Sequence, residues 1–345
     1  MKSTTIADIA KLAGVSKATV SRVINERAEG VGAETRARVK AVIEAAGFQP
    51  SGVARGLATG KSRSVGLIIP DIANPFFPLI VRGLQDALRP RGYSLFLCDS
   101  DRDIDKEKEH VRVLLEKNVD GVVLSSTISD CDCQLDLLDE RAVPYVLLDR
   151  IIEARPEGAG VYVDNRKGAR MAVDYLFAGG RSRLLFLNGP ADLSLSKLRS
   201  RGVDDACRAR GVDPAGVLRR NGDYSVASGE SAVDALLAAA TKAAPRTAAP
   251  FDSIFAGNDM MAIGAMRAAK RRGLRIPEDL EVVGFDDVEP ARLVDPPLTT
   301  VAQPAYRMGR ESGELLLKLI EGKRPRKRTI VMDPVLVVRG TTKSR

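Results

Sequence analysis

The sequence has few of the residues on which metal and catalytic sites usually depend. Among 345 residues it contains one histidine, His110, no tryptophan, and four cysteines, Cys98, Cys131, Cys133 and Cys207. The cysteines form no CxxC pair, so no structural zinc site is indicated, and we expect Cys131 and Cys133 to lie in a reduced surface turn. Because most general-base constellations use histidine, a single one also disfavours catalysis. We therefore expect no metal and no cofactor.

Long hydrophobic runs are also missing. No stretch approaches the roughly 18 consecutive apolar residues of a membrane helix, and the first residues, MKSTTIADIAKL, lack the apolar run of a secretion signal. We therefore expect a cytoplasmic protein with no membrane partner. With 44% hydrophobic residues, the chain is long enough to fold as two or three domains with separate cores.

The positive charge is unevenly distributed along the chain. The net charge is +8, and residues 1 to 64 hold eleven Lys/Arg against five Asp/Glu, whereas the remaining residues hold 42 against 40. A compact basic module indicates a polyanionic partner such as nucleic acid, while the alternative is a basic solvated tail. The apolar periodicity of this segment argues against a tail.

This basic segment has the pattern of a helix-turn-helix. Thr5 and Asp8 form a capping-box variant that starts a helix over Ile6–Ala13, and Gly14 ends it. Ser16 is expected to cap a second helix from Lys17 to about Ile24. Two short helices joined at a glycine have the geometry of a DNA-binding motif whose second helix enters the major groove.

A third helix is predicted from Ala33 to Ala46. Val39, Val42 and Ile43 recur at helical spacing, and Gly47 marks its end. Its N-cap would be Gly32, which is a weaker cap than serine.

The run TIADIAKLAGVSKATVSRVIN followed by ETRARVKAVIEAAGFQP resembles the headpiece of the lactose-repressor (LacI) family, and the similarity extends over the whole chain. By this resemblance Lys17, Ala18 and Arg22 occupy base-reading positions. Phosphate contacts or helix caps are implied for Thr5, Ser16, Thr19, Ser21, Asn25 and Thr35. Arg22 is the strongest base reader because a guanidinium pairs bidentately with guanine, with a phosphate contact as the alternative.

The segment after Pro50, SGVARGLATGKSRS, is rich in small residues and alone would be a linker. By resemblance, Ser51 to Ala58 is a hinge helix that orders on the operator and inserts Leu57 into the minor groove. An apolar wedge of this kind kinks a base step and bends the duplex onto the protein. Gly52 and Gly56 lower the helix propensity of this segment.

From Val65 onward, short apolar runs such as VGLIIP, GVVLSS and EVVGFD alternate with helical stretches. This pattern predicts an α/β fold with parallel sheets covered by helices on both faces. The family resemblance implies two Rossmann-like subdomains of periplasmic-binding-protein type, with three crossovers between them.

We therefore expect a helix-turn-helix domain at 1–50, a hinge at 51–64 and an effector-binding and dimerisation domain at 65–340. One subdomain spans about 65 to 162 plus 303 to 330, and the other 163 to 302 plus the strand VLVVRG.

Ligands in parallel sheets collect beyond the carboxyl ends of the strands, where this chain places many polar residues. Among them are Asp71, Asp99, Asp259 and Asp287. By resemblance the effector-binding set is Asn74, Phe76, Phe77, Asp149, Arg150, Arg199, Asn258, Asp286 and Gln303, with Tyr224 as a further wall. Each of four residues also has an alternative to effector binding. Asp286 would belong to a turn, Arg150 would be a surface charge, and Phe76 and Phe77 would pack in the core.

Two other functions can be weighed against a regulator. An enzyme would need a GxGxxG, a GxxxxGK[ST] or a metal-binding spacing, and the sequence has none of these. A sugar-binding transport protein would need an export signal and would have no use for residues 1 to 50.

The resemblance then implies the partners. They are a pseudo-palindromic double-stranded operator read by a homodimer, with a tetramer left open, and a small-molecule effector. The protein is expected to repress a carbohydrate-utilisation operon, and relief of repression by an inducer is the more common arrangement in the family.

A neutral pentose or hexose is the preferred effector because carboxylates and arginines suit vicinal hydroxyls and aromatic rings suit an apolar sugar face. A sugar acid such as gluconate comes next, and a purine third.

Overall fold

The computed structural model describes residues 4–24, 30–48, 60–126, 133–150, 158–243 and 249–343. They belong to two compact units, residues 1–63 and 64–345. Asn25, Cys131 and the predicted hinge at 51–58, with Leu57, lie outside the described residues.

The first unit contains three helices, α1 (Ile6–Ala13), α2 (Lys17–Ile24) and α3 (Ala33–Ala45). Thr5 caps α1 through a capping box, in which its backbone N–H donates to Asp8 Oδ2 at 2.9 Å. Gly14 ends α1 with φ 65°, a left-handed conformation that glycine adopts without strain. The two helices of the predicted helix-turn-helix are therefore present with the expected bounds, and α3 ends one residue earlier than predicted.

The helices of this unit pack around a small apolar core. Their buried side chains are Ile9, Ala10, Ala13, Val20, Val23 and Val39. Gly32 supplies no side-chain hydrogen bond to the start of α3, as expected for a glycine cap.

The described residues of the second unit form strands and helices in alternation. The strands are β1 (Ser64–Ile69), β2 (Ser94–Asp99), β3 (Gly121–Leu124), β4 (Tyr145–Leu148), β5 (Gly160–Val163), β6 (Leu184–Asn188), β7 (Leu218–Asn221), β8 (Ser253–Ala256), β9 (Glu281–Asp286), β10 (Thr299–Ala302), β11 (Thr329–Met332) and β12 (Val335–Val337). The helices are α4 (Phe76–Leu88), α5 (Ile104–Glu116), α6 (Cys133–Glu140), α7 (Asn165–Ala178), α8 (Ser194–Ala209), α9 (Val226–Ala243), α10 (Asp259–Arg271), α11 (Glu289–Leu293) and α12 (Ala305–Ile320).

These strands form two six-stranded sheets within the described residues. The first has the order β11-β5-β4-β3-β1-β2 and is parallel throughout, and the second has the order β12-β10-β9-β8-β6-β7, with β12 antiparallel to β10. The chain crosses between the sheets after β5, after β10 and after β11. The predicted α/β fold with two parallel-sheet subdomains is confirmed.

Both sheets are covered by helices on both faces, which is why their central strands read as continuous apolar runs. In the first sheet, Val65, Leu67 and Ile69 face α4 and α12, whereas Ile68 faces the core beneath α5 and α6. A Cβ on Gly83 or Gly309 would collide with the backbone of the neighbouring helix, so these glycines set the close approach of α4 and α12.

The strands and Cys133 differ from the sequence expectations. Strands β7 and β11 were not predicted, and β11 extends the first subdomain's later segment to Met332. Cys133 is the first residue of α6 rather than part of a turn.

Among the described residues, no helix is both long and apolar enough to span a membrane. The same residues contain no group of three or more histidines, cysteines or carboxylates suited to a metal ion.

Candidate DNA-reading helix and effector cavity

The predicted DNA-reading residues lie on the exposed side of α2. Lys17, Ala18 and Arg22 are exposed, while Val20 and Val23 point into the core. This division leaves the first turns of α2 available for contact with base edges.

Except for Ser21, the described hydroxyl residues of the predicted set lie at or near helix starts. Ser16 accepts the backbone N–H of Thr19 at 3.1 Å, and its hydroxyl lies 2.9 Å from that of Thr19. Thr35 lies in the first turn of α3, and Ser21 is half-buried on α2. Free backbone N–H groups at helix starts suit phosphate oxygens. The roles of these residues, and of Asn25, toward DNA stay predictions.

In the second unit, all ten residues predicted to bind an effector line one cavity. It lies beyond the carboxyl ends of the parallel strands and encloses a volume of about 30 Å³. The lining residues are Asn74, Phe76, Phe77, Asp149, Arg150, Arg199, Tyr224, Asn258, Asp286 and Gln303, together with Leu195. Leu195 was not predicted because an aliphatic residue at the start of a helix gives no polar signal.

One wall of the cavity is aromatic. Phe76 and Phe77 begin α4, and their ring centroids lie 5.4 Å apart with an interplanar angle of 72°. Asn74 holds this helix start by accepting the backbone N–H of Phe76 at 3.1 Å. Both rings also belong to the core of the first subdomain, which is the core packing that the alternative expected. Their role toward an effector stays a prediction.

Asp149 and Arg150 follow β4 on the side of the first sheet. Arg150 Nη1 donates to the carbonyl of Ser126 at 2.7 Å, and both residues are more than nine-tenths buried. Burial raises the pKa of the Asp149 carboxyl, opposed by the charges of Arg150 and Arg199. Asp149 Oδ1 is buried without a hydrogen-bond partner in the structure. It is therefore an acceptor directed at whatever fills the cavity.

Arg199 projects from α8 on the side of the second sheet. Its Nε donates to Asn165 Oδ1 at 2.8 Å, and its Nη1 donates to the carbonyl of Gly257. The guanidinium carbon lies 3.9 Å from the centroid of the Phe285 ring. These contacts fix the plane of the guanidinium at the cavity wall.

Asp286 and Gln303 form a hydrogen-bonded pair at the ends of β9 and β10. Gln303 Nε2 donates to Asp286 Oδ1 at 2.6 Å, and Gln303 Oε1 is buried without a partner. Burial raises the pKa of Asp286 to about 7, with the charge of Arg199 acting in the opposite direction. The φ of Asp286 is 117°, a strained backbone conformation that turns the strand end toward the cavity.

Asn258 both caps a helix and lines the cavity. Its Oδ1 accepts the N–H of Met261 at 2.9 Å, and its Nδ2 donates to the carbonyl of Tyr224 at 2.9 Å. The Tyr224 hydroxyl lies 2.8 Å from Ser196 Oγ. The amide of Asn258 therefore fixes the tyrosine wall.

The other aspartates at strand ends do not line this cavity. Asp71 pairs with Arg102, and Asp287 pairs with Arg292 at 2.9 Å and also with Arg339. Arg102 and Arg339 come from distant parts of the chain, whereas Arg292 lies five residues after Asp287.

Asp259 is held inside the second subdomain. It accepts from Thr300 Oγ1 at 2.5 Å and from the Val288 N–H at 2.9 Å, and burial raises its pKa well above the ordinary range. Its position explains why a polar residue after β8 contributes to packing and not to the cavity.

Arg181 lies in the sequence Gly180-Arg181-Ser182-Arg183-Leu184, which leads into β6. Arg181 Nη2 donates to the carbonyl of Pro277 at 2.8 Å and lies 3.4 Å from the buried carboxylate of Glu281. The arginine thus joins β9 to the preceding loop, away from the cavity.

Comparison with known proteins agrees with both units. Residues 5–51 match the model of bacterial regulatory proteins of the lacI family, and residues 173–342 match a periplasmic binding protein-like domain. The chain is 36% identical to the ribose operon repressor of Bacillus subtilis (strain 168) over 98% of each protein. It is 34% identical to the transcriptional repressor PurR of Aliivibrio fischeri (strain ATCC 700601 / ES114), covering 99% of each.

A solved structure shows the same architecture bound to DNA. The structure of the lac repressor dimer bound to operator and the anti-inducer ONPF superimposes with a TM-score of 0.88 at 29% identity, covering 99% of this chain and all of that one.

Proposed function

This chain belongs to the LacI family of bacterial transcriptional regulators, and we propose that it represses a carbohydrate-utilisation operon until a neutral pentose enters the effector cavity. Members of this family are regulators and not enzymes, and this chain is a DNA-binding repressor controlled by a small-molecule effector. The proposal concerns the identity of the effector, the direction of its effect and the assembly that binds DNA.

The observation that carries the effector assignment is a pair of buried acceptors without partners. Asp149 Oδ1 and Gln303 Oε1 come from opposite sheets and line the same cavity. Buried acceptors without donors are costly, so a ligand that brings hydroxyl donors to both gains affinity. A sugar ring carries such hydroxyls around its edge, and Arg199 supplies donors for its remaining oxygens.

The shape of the cavity wall favours a sugar ring over a flat purine. The rings of Phe76 and Phe77 stand at 72° to each other, so they form a corner and not a parallel sandwich for a flat purine. The sequence similarity to a ribose operon repressor supports a pentose.

The DNA-binding assembly we propose is a homodimer on a pseudo-palindromic operator. Strand β2 lies at the edge of the first sheet, where Phe96 is 45% and Leu97 43% exposed. An exposed apolar edge strand is a ready surface for a second copy of the chain. The solved lac repressor is itself a dimer on its operator. Two headpieces then read two half-sites, with Arg22 as the main base reader and Leu57 as the wedge of the 51–64 hinge.

A ligand panel tests the effector class. Thermal unfolding of the full chain is followed with D-ribose, D-xylose, D-glucose, gluconate and adenine. A ligand at about 100 times its dissociation constant stabilises the folded state by roughly 2.7 kcal/mol, so the midpoint must rise with a pentose. A rise with gluconate or adenine and none with any neutral sugar would refute the assignment.

A further inference from the structure

A buried polar chain connects helix α5 with the effector cavity. Glu107 lies in the first turn of α5 and is fully buried, although it does not line the cavity. Its Oε1 accepts the hydroxyl of Ser126 at 2.9 Å, and Ser126 Oγ accepts Gln134 Nε2 at 3.1 Å. The chain thus joins α5, the end of β3 and α6.

The same serine also holds an arginine of the cavity wall. The carbonyl of Ser126 accepts Arg150 Nη1 at 2.7 Å, while its hydroxyl binds Glu107. Burial lowers the pKa of Arg150; the negative charge of Asp149 opposes that shift most strongly, followed by Tyr224 and then Glu107. Glu107, linked to Arg150 through Ser126, is therefore a second counter-charge after Asp149, on the protein side of the cavity wall.

A counter-charge behind the wall affects which ligands the cavity favours. A buried cation needs a compensating negative charge, and an anionic ligand supplies one when the protein does not. Where the protein already supplies the compensating negative charge, the guanidinium still donates hydrogen bonds to hydroxyl oxygens. It then has no unbalanced positive charge to attract an anion. Arg199, Asp149 and Asp286 are the other charged residues of this wall, and Glu107 lies outside it.

We propose that Glu107 is a specificity-determining residue that acts through Arg150 and gives the cavity its preference for an uncharged sugar over the corresponding sugar acid. The inference rests on the proposed function, because it concerns the ligand of the same cavity. Glu107 itself touches no ligand, so it is a positioning and charge-balancing residue.

The test measures two affinities by titration calorimetry on the full chain, for D-ribose and for its acid D-ribonate. E107Q keeps an oxygen that can accept the Ser126 hydroxyl but removes the charge. The ratio of the two affinities is expected to shift about tenfold in favour of ribonate. A change of this size corresponds to the interaction energy of one uncompensated charge pair at an intermediate dielectric. E109Q, on the exposed face of the same helix, is the matched control and must leave the ratio unchanged.

The two possible failures are distinguishable. Wild-type protein that binds ribonate and no neutral sugar overturns both the effector assignment and this inference. Wild-type protein that binds ribose, with an E107Q ratio equal to that of wild type, overturns the role of Glu107 alone. A loss of both affinities in E107Q with an unchanged ratio also overturns it, because a purely structural role has that signature.

A second comparison tests whether Glu107 acts through Arg150, in variants whose circular dichroism matches that of the wild type. The ratio is then measured in R150Q and in the double variant E107Q/R150Q. Because Glu107 acts through Arg150, removing its charge in the R150Q background is expected to change the ratio by less than about twofold. A further tenfold shift toward ribonate in that background overturns the proposal.

Discussion

The guanidinium of Arg199 lies against the ring of Phe285, with 3.9 Å between the guanidinium carbon and the ring centroid. Phe285 is a fully buried residue of β9, directly before Asp286. The stacking therefore ties α8 to the strand end that carries a cavity carboxylate. Arg199 has a fixed plane because the ring, Asn165 and Gly257 each hold one part of it.

This relationship predicts that lysine cannot replace Arg199. A lysine ammonium is a point charge without the planar fork, so Arg199→Lys loses the stacking and at least one charge-assisted hydrogen bond. We expect effector binding to weaken by about 1.5 to 3 kcal/mol in titration calorimetry. Arg201→Lys, an exposed position on the same helix, is the control. Equal effector affinity in Arg199→Lys and wild type would show that the cavity is not the binding site.

The raised pKa of Asp286 predicts how stability depends on pH. The folded-state pKa is about 7 against an ordinary value of 3.8, so folded protein holds the proton over a range in which the unfolded chain releases it. The free energy of unfolding therefore falls as pH rises between these two values and levels off above them. Asp286→Asn carries no such proton, so we expect it to gain stability relative to wild type as pH rises.

Urea unfolding at about pH 5 and about pH 8 measures this difference. The exposed Asp192→Asn variant should follow the wild type at both. If Asp286→Asn differs from wild type by the same free energy at both pH values, Asp286 does not titrate in this range.

The exposed edge strand β2 predicts the oligomeric state. Phe96→Glu places a charge on the apolar edge and is expected to convert the dimer to a monomer in analytical ultracentrifugation, with loss of operator binding. Val331→Glu is the matched control, since Val331 is 61% exposed on β11 at the opposite edge of the same sheet. A Phe96→Glu protein that stays dimeric would locate the interface elsewhere.

Arg22 is exposed on α2, which predicts a base-specific effect. Arg22→Ala is expected to cost about 1 to 3 kcal/mol at one position of each half-site, as for a typical bidentate pair with guanine. Binding to operators with single base changes, compared with random DNA, measures it. A loss of the same size on specific and random DNA would place Arg22 among the phosphate contacts instead.

The headpiece was predictable because its signals are local. Thr5 with Asp8 and Gly14 mark the ends of α1 through contacts within a few residues. The edge strands β7 and β11 were missed for a different reason. Both are partly exposed, and the sequence LRRN of β7 contains no apolar run. An edge strand packs less of its surface than a central strand, so apolar patterning marks β7 weakly, whereas β11 has only the short apolar run from Ile330 to Met332.

The cavity was predictable as a location but not in its electrostatics. Strand ends in parallel sheets meet at one edge, so polar residues after strands were expected to converge. Which aspartates enter the cavity depends on distant partners: Arg102 holds Asp71, and Thr300 holds Asp259. Nothing in the sequence indicated that Glu107 is buried. A glutamate in the first turn of a helix is ordinarily exposed, and its negative charge interacts favourably with the helix dipole.

The most direct test of the central claim is the operator affinity of the full chain with and without D-ribose. Fluorescence anisotropy with labelled DNA from upstream of the protein's own gene gives the dissociation constant in each case. A ligand changes DNA affinity only by binding the DNA-competent and released forms unequally. We predict that ribose weakens operator binding by wild-type protein and has less effect on Arg199→Lys at the same concentration. An operator affinity that no neutral pentose or hexose changes, but that gluconate or a purine does change, would contradict the account.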